Sequence, residues 1–95
     1  MTTKERIAAA LSEGESNAVS LFELIRISGL DNRSTRLLIE QLRREGFVIC
    51  SSERGYYLPA DADELRRYVS KERRRADSIT ETLAPAAALL EEWGG

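Results

Sequence analysis

The chain has 95 residues, with 14 Lys and Arg against 16 Asp and Glu, a net charge of −2 and no His. That length suits one domain with a single core, and 42% hydrophobic with 32% charged residues is the balance of a folded chain. The lack of His, the solitary Cys50 and the absence of any apolar run near ~18 residues argue against a zinc site, an internal disulfide and a membrane span.

The opening segment carries no secretory pattern, so the Asn32-Arg33-Ser34 triplet has no force as a glycosylation acceptor and a cytoplasmic protein is expected. No Gly-rich phosphate loop, metal-ligand cluster or paired carboxylates stand apart from ordinary helix surface, so neither an enzyme nor a bound cofactor or metal is expected. Cys50 reads as a small, half-buried strand residue.

In chain order, Thr2 to Glu13 reads as a first helix. Thr2 and Glu5 have capping-box spacing, Ile7, Ala8 and Leu11 recur at helical spacing, and Gly14 stands where a helix stops. Glu15-Ser16-Asn17 is a polar connection, and Ala18-Val19 leaves room for only a stub of strand. Ser20 and Glu23 make a second capping box ahead of Leu21, Phe22, Leu24, Ile25 and Ile27, a helix of about two turns apolar enough to need packing on both sides. Gly29 supplies a left-handed reversal, Leu30 is expected to turn back into the core, and Asp31 is placed to cap the next helix.

That third helix runs from Asn32 to about Glu45. Thr35, Leu38, Ile39 and Leu42 form its inner stripe, and Arg33, Arg36, Glu40, Arg43 and Arg44 fall on other faces. Gly46 closes it and the period changes. Phe47 to Ser51 and Tyr56 to Leu58 are β-rich, with a turn signal at Ser52-Glu53-Arg54-Gly55, so a two-stranded hairpin is predicted, with Tyr57 the buried one of the two tyrosines. From Asp61, with Glu64 at the capping position, one long helical pattern is expected to run to about Leu83 and to break or kink at Pro85.

The predicted fold is therefore mainly α with a small β-hairpin, an α+β class. Residues 1–60 would form a winged helix-turn-helix domain and residues 61–95 a C-terminal helical extension. The stretch Ser20 to Arg36 resembles the helix-turn-helix core of winged-helix DNA-binding domains, and Leu42 to Ile49 resembles the end of their recognition helix and their first wing strand. Cys50 to Leu58 is similar to the wing of small winged-helix proteins from phage and prophage regions. The resemblance covers about residues 4 to 60. It implies a role in regulating transcription or replication, with the third helix in the major groove.

Carried over residue by residue, the resemblance implies double-stranded DNA as partner. Arg33 and Arg36 would grip guanine or phosphate, Asn32 would read adenine, Ser34 and the helix amides would hold a phosphate oxygen, and Gln41 lies further along. In the wing it implies Arg54 on the backbone or in the minor groove, supported by Tyr56, with Ser51 and Ser52 adding contacts. Against each stands a plainer role: a solvated helix face for Arg33 and Arg36, a charge that keeps the hairpin edge soluble for Arg54, and the helix dipole for Arg43 and Arg44.

Charge is unevenly spread: residues 1–25 carry −2, residues 26–60 carry +2, residues 61–76 carry +2 and residues 77–95 carry −4. The overall acidity and Leu37 favour the alternative, a winged-helix module that binds protein and no nucleic acid. The basic cluster of Arg66, Arg67, Lys71, Arg73, Arg74 and Arg75 reads as a solvated helix face, with a second DNA contact the competing role. Leu65, Val69, Ala76, Ile79, Leu83 and Leu90 follow a four-three rhythm broken by Glu72. With Trp93 they predict a homodimer through the C-terminal helix, folding back onto the same domain being the competing arrangement.

Overall fold

The computed structural model describes residues Met1–Gly94. Three short helices, a hairpin and one long helix follow in order: α1 (Thr3–Ala10), α2 (Leu21–Ser28), α3 (Asn32–Arg44), β1 (Cys50–Ser52), β2 (Gly55–Tyr57) and α4 (Ala62–Glu92). This is the expected α+β class, mainly α with one small hairpin and a long C-terminal helix; the β1–β2 hairpin, hereafter the wing, stands where that element was expected. No helix is long and apolar enough to cross a membrane, and no group of three or more acidic, Cys or His residues could hold a metal, among the described residues.

The first helix is shorter than its sequence predicts. Thr2 and Glu5 form the reciprocal capping box, but the helix ends at Ala10 and Leu11 turns extended. The chain leaves the helix because its backbone finds partners elsewhere. Leu58 N–H donates to Ser12 O at 2.9 Å and Gly14 N–H to Leu58 O at 2.8 Å, while the Leu11 side chain enters the core. Gly14, at φ 94°, thus opens a 3-10 turn over Glu15–Asn17 and is not the end of α1.

Ser20 caps α2 by accepting from Glu23 N–H, but the Glu23 carboxylate turns to Arg26 and does not close a box. Only one side of α2 is fully packed. Leu24 is buried, Leu21 and Ile27 lie against the core, and Phe22 is 76% exposed on the far side. Gly29 takes the left-handed conformation at φ 71°. Leu30 does not return to the core and stands exposed. The turn is held instead by hydroxyls, since Ser28 Oγ accepts from Leu30 N–H and meets Thr35 Oγ1 at 2.8 Å.

Asp31 caps α3 through Ser34 N–H at 2.7 Å. Ile39 and Leu42 then join Ile7, Leu11, Leu24 and Ile49 in one cluster, with Leu38 at its edge, while Thr35 is buried against the Ser28 hydroxyl. The core is thus built from α1, α2, α3 and the residue leading into β1. Each of its aliphatic side chains contributes roughly 1.5–3 kcal/mol by leaving water.

The first wing strand is also shorter than expected: Phe47 donates its backbone N–H back to Leu42 O at 3.0 Å, Phe47 and Val48 are exposed, and only Cys50–Ser52 forms β1. Its partner β2 pairs antiparallel with Cys50 opposite Tyr57 and Ser52 opposite Gly55, leaving Glu53-Arg54 as the tip. Val19 adds a third rung on the other edge, exchanging both backbone hydrogen bonds with Tyr56 at 2.8 Å. Tyr57 is buried.

Of the break or kink expected at Pro85, the break does not occur: α4 continues through it to Glu92. Pro removes one ladder bond and crowds the Glu81 carbonyl, costing ~3 kcal/mol. That carbonyl lies on an exposed stretch where water reaches it, and Ala86-Ala87-Ala88-Leu89-Leu90-Glu91-Glu92 beyond are strong helix formers. The root of α4 is tied down twice. Asp61 caps Glu64 N–H, and the Glu64 carboxylate accepts from Ala60 N–H and from Glu15 N–H in the 3-10 turn. Past Glu72 every described residue is exposed, so the helix projects from the domain, and the described chain as a whole measures 51 Å along its longest axis.

Candidate nucleic-acid interface

The exposed face of α3 carries Asn32, Arg33, Arg36, Leu37, Glu40, Gln41 and Arg44. Asp31 fixes where this face begins. Its carboxyl is held below the ordinary range chiefly by the Ser34 backbone N–H. That bond changes the expectation for Ser34: its amide is already taken and its side chain is half-buried, so it offers less to a phosphate than its position suggests.

Arg36 projects toward the wing. A shallow groove is lined by Ser20 and Leu21 at the start of α2, by Arg36, and by Ser51 through Tyr56. The fold thus unites Arg36 with Ser52, Arg54 and Tyr56, four expected site residues from two separate stretches. Asn32, Arg33 and Gln41 are exposed on α3 outside the groove, Gln41 half a turn round the helix from Asn32. Among the described residues, Arg33, Arg36 and Arg54 form no ion pair, whereas Arg26, Arg44 and Arg66 are engaged with Glu23, Glu40 and Asp63. Cations without an intramolecular carboxylate have no local countercharge to exchange before meeting an external anion.

The wing is stiffened from within. Ser52 Oγ accepts from Arg54 N–H at 3.1 Å, and Gly55 at φ 127° packs so close to Val19 that a Cβ there would overlap its carbonyl. Arg43 is the residue whose part the sequence hid. It donates from Nε to Ile49 O at 2.9 Å and from Nη2 to Ser51 Oγ at 3.4 Å, and its guanidinium lies 5.9 Å from the Tyr56 ring centre and 5.8 Å from that of Tyr68. One side chain therefore ties α3 to the wing and to α4. Its place in the last turn of α3 fitted a helix-dipole role equally well, and no local pattern pointed to Tyr68.

Lys71 completes that tie by donating to Ser51 O at 2.7 Å, with its ammonium 5.8 Å from the Tyr68 ring centre. Arg67 and Lys71 line a cleft with Ser52, Glu53, Tyr57 and Glu15 on the far side of the wing. Arg74 continues the row along α4 beside Asp63, Arg66 and Ser70. Basic side chains consequently flank the wing on both sides. The expected dimer residues divide: Leu65 and Val69 are half-buried where α4 lies along the domain, while Ala76, Ile79, Leu83 and Leu90 are exposed.

Comparison with protein-family models, with curated proteins and with solved structures finds no match to this chain.

Proposed function

We propose that this protein binds duplex DNA, laying α3 in the major groove and the wing along the phosphate backbone, and catalyses no reaction. In this reading it is a cytoplasmic regulator of transcription or replication of the winged-helix kind that phages and prophages encode. The observation that carries it is the groove in which the unpaired Arg36 and Arg54 converge with Ser52 and Tyr56, beside the exposed Asn32 and Arg33. Arginines at this spacing suit guanine edges and phosphates, and Asn32 suits adenine. Glu40, Glu53 and the net charge of −2 weaken the field, so affinity at one site is modest and pairing of two copies through α4 raises it.

The second reading, a winged-helix module that binds protein, is favoured by Phe22 and Leu37, which stand exposed on the outer faces of α2 and α3. Titration of random and genomic-fragment duplexes with the purified protein at two salt concentrations separates the two. Binding that weakens steeply with salt supports the DNA reading. No binding even at low salt overturns it and turns attention to protein partners.

A further inference from the structure

We infer that the projecting half of α4 pairs with a second copy of this chain in antiparallel orientation, in a register that sets Ala76 against the partner's Trp93. The inference rests on the reading of α4 as a dimer element and is independent of DNA binding.

The seam follows from the helix being continuous through Pro85. Positions 76, 79, 83, 86, 90 and 93 alternate in steps of three and four and carry Ala, Ile, Leu, Ala, Leu and Trp, the stripe of a two-stranded coil. Pro85 lies two residues beyond Leu83 and one before Ala86, on the side away from that stripe, and so does not interrupt it. All six side chains are exposed in the single chain, Trp93 at 76%.

Charge decides the direction. Residues 66–75 carry net +5 and residues 76–94 carry net −4. Parallel pairing would set Arg73, Arg74 and Arg75 beside their own copies, and Glu91 and Glu92 beside theirs. Antiparallel pairing brings the acidic end of each helix toward the basic stretch of the other.

Side-chain volume decides the register. In the antiparallel layers Ala76 meets the partner's Trp93, Ile79 meets the partner's Leu90 and Leu83 meets the partner's Ala86, each small residue facing a large one. Parallel layers would instead stack Trp93 on the partner's Trp93 and leave two Ala-on-Ala gaps. The overlap spans ~27 Å, and the two Glu72 positions lie ~37 Å apart along the axis, one folded domain at each end.

The test is cross-linking in the full chain. Ala76→Cys with Trp93→Cys is oxidised mildly and the disulfide peptides are mapped by mass spectrometry, alongside light scattering of the unmodified protein. Expected are a mass twice the 10.7 kDa chain and an intermolecular 76–93 disulfide. Bonds joining 76 to 76 and 93 to 93 would overturn the orientation while keeping the dimer. A dimer without a 76–93 bond would overturn the register. A monomer at tens of micromolar would overturn the dimer reading altogether. Ile79→Asp with Leu83→Asp, far from the core, is expected to give a folded monomer.

Discussion

The Ser28 and Thr35 hydroxyls meet at 2.8 Å inside the turn between α2 and α3, where both residues are buried. Thr35 Oγ1 also reaches Asp31 O at 2.8 Å, and Ser28 Oγ reaches Ile25 O at 3.0 Å. This small polar network takes the place that Leu30 was expected to fill, and it fixes how α3 leaves the turn. Thr35→Val keeps the shape and removes the hydroxyl's bonds to Ser28 Oγ and Asp31 O, while Ser28 Oγ keeps Ile25 O and Leu30 N–H. A loss of ~0.5–1.5 kcal/mol in urea unfolding is expected. An unchanged midpoint would mean the hydroxyl pair contributes nothing to stability.

Gly55 is the position on the wing least open to substitution. Its φ of 127° disfavours any side chain, and the Val19 carbonyl occupies the space a Cβ would need. Gly55→Ala therefore carries backbone strain of ~1–3 kcal/mol plus the clash. The outcome expected is a destabilised domain whose Val19–Tyr56 amides lose protection from hydrogen exchange first. Equal protection of those amides in the variant would contradict it.

What was legible in the sequence was chiefly local. Thr2, Ser20, Asp31 and Asp61 each cap the helix they precede, because a capping side chain needs only a backbone N–H three residues on. The apolar stripe of α3 was likewise readable at 3.6 spacing. The misses are long-range. Ser12 and Gly14 leave α1 for Leu58, over forty residues away. Phe47 and Val48 have strand composition but no neighbour to pair with. Pro85 carries a local penalty that the helix formers after it outweigh. At the site, exposed α3 residues followed from periodicity, but the meeting of Arg36 with the wing, and the Arg43–Tyr68 tie behind it, join segments far apart in the chain.

At acid pH the helix starts are the sensitive points. Asp31 is held low by the Ser34 backbone N–H, Glu5 by the Thr2 backbone N–H and Glu23 by the Arg26 side chain. In each case the folded value lies below the unfolded one. Their contribution is complete above the unfolded range near ~4 and falls away as pH drops through the folded values. Thermal midpoints should therefore decline with acidification below about pH 4, and Asp31→Asn, which keeps an acceptor oxygen, should flatten part of that decline.

Cys50 is fully buried, and that burial is the main reason its thiol is pushed up from its usual value. The folded state holds the proton more tightly, so stability is complete below the unfolded value near ~8.5 and is lost as pH rises through the folded one. Native protein is expected to react with a thiol reagent only at the rate of opening, and urea-unfolded protein at once. Fast labelling of the native state would mean that β1 separates readily from α4.

Arg43 and the pair Arg33–Arg36 should behave oppositely. Arg43 is bonded to Ile49 O and lies against two tyrosines, so Arg43→Ala removes a charge-assisted bond and the packing of three elements. A stability loss of ~1–3 kcal/mol is expected. Arg43→Lys should recover only part, since an ammonium cannot reproduce the guanidinium's fork. Arg33→Ala with Arg36→Ala touches no intramolecular ion pair, and stability should stay within ~0.5 kcal/mol. On the proposed function the double variant should nonetheless lose at least ~2 kcal/mol of duplex affinity, with a shallower salt dependence. Urea unfolding and DNA titration of the same preparations give both readings. Full DNA affinity in the double variant would remove α3 from the interface and leave the wing and the basic row of α4 to account for binding.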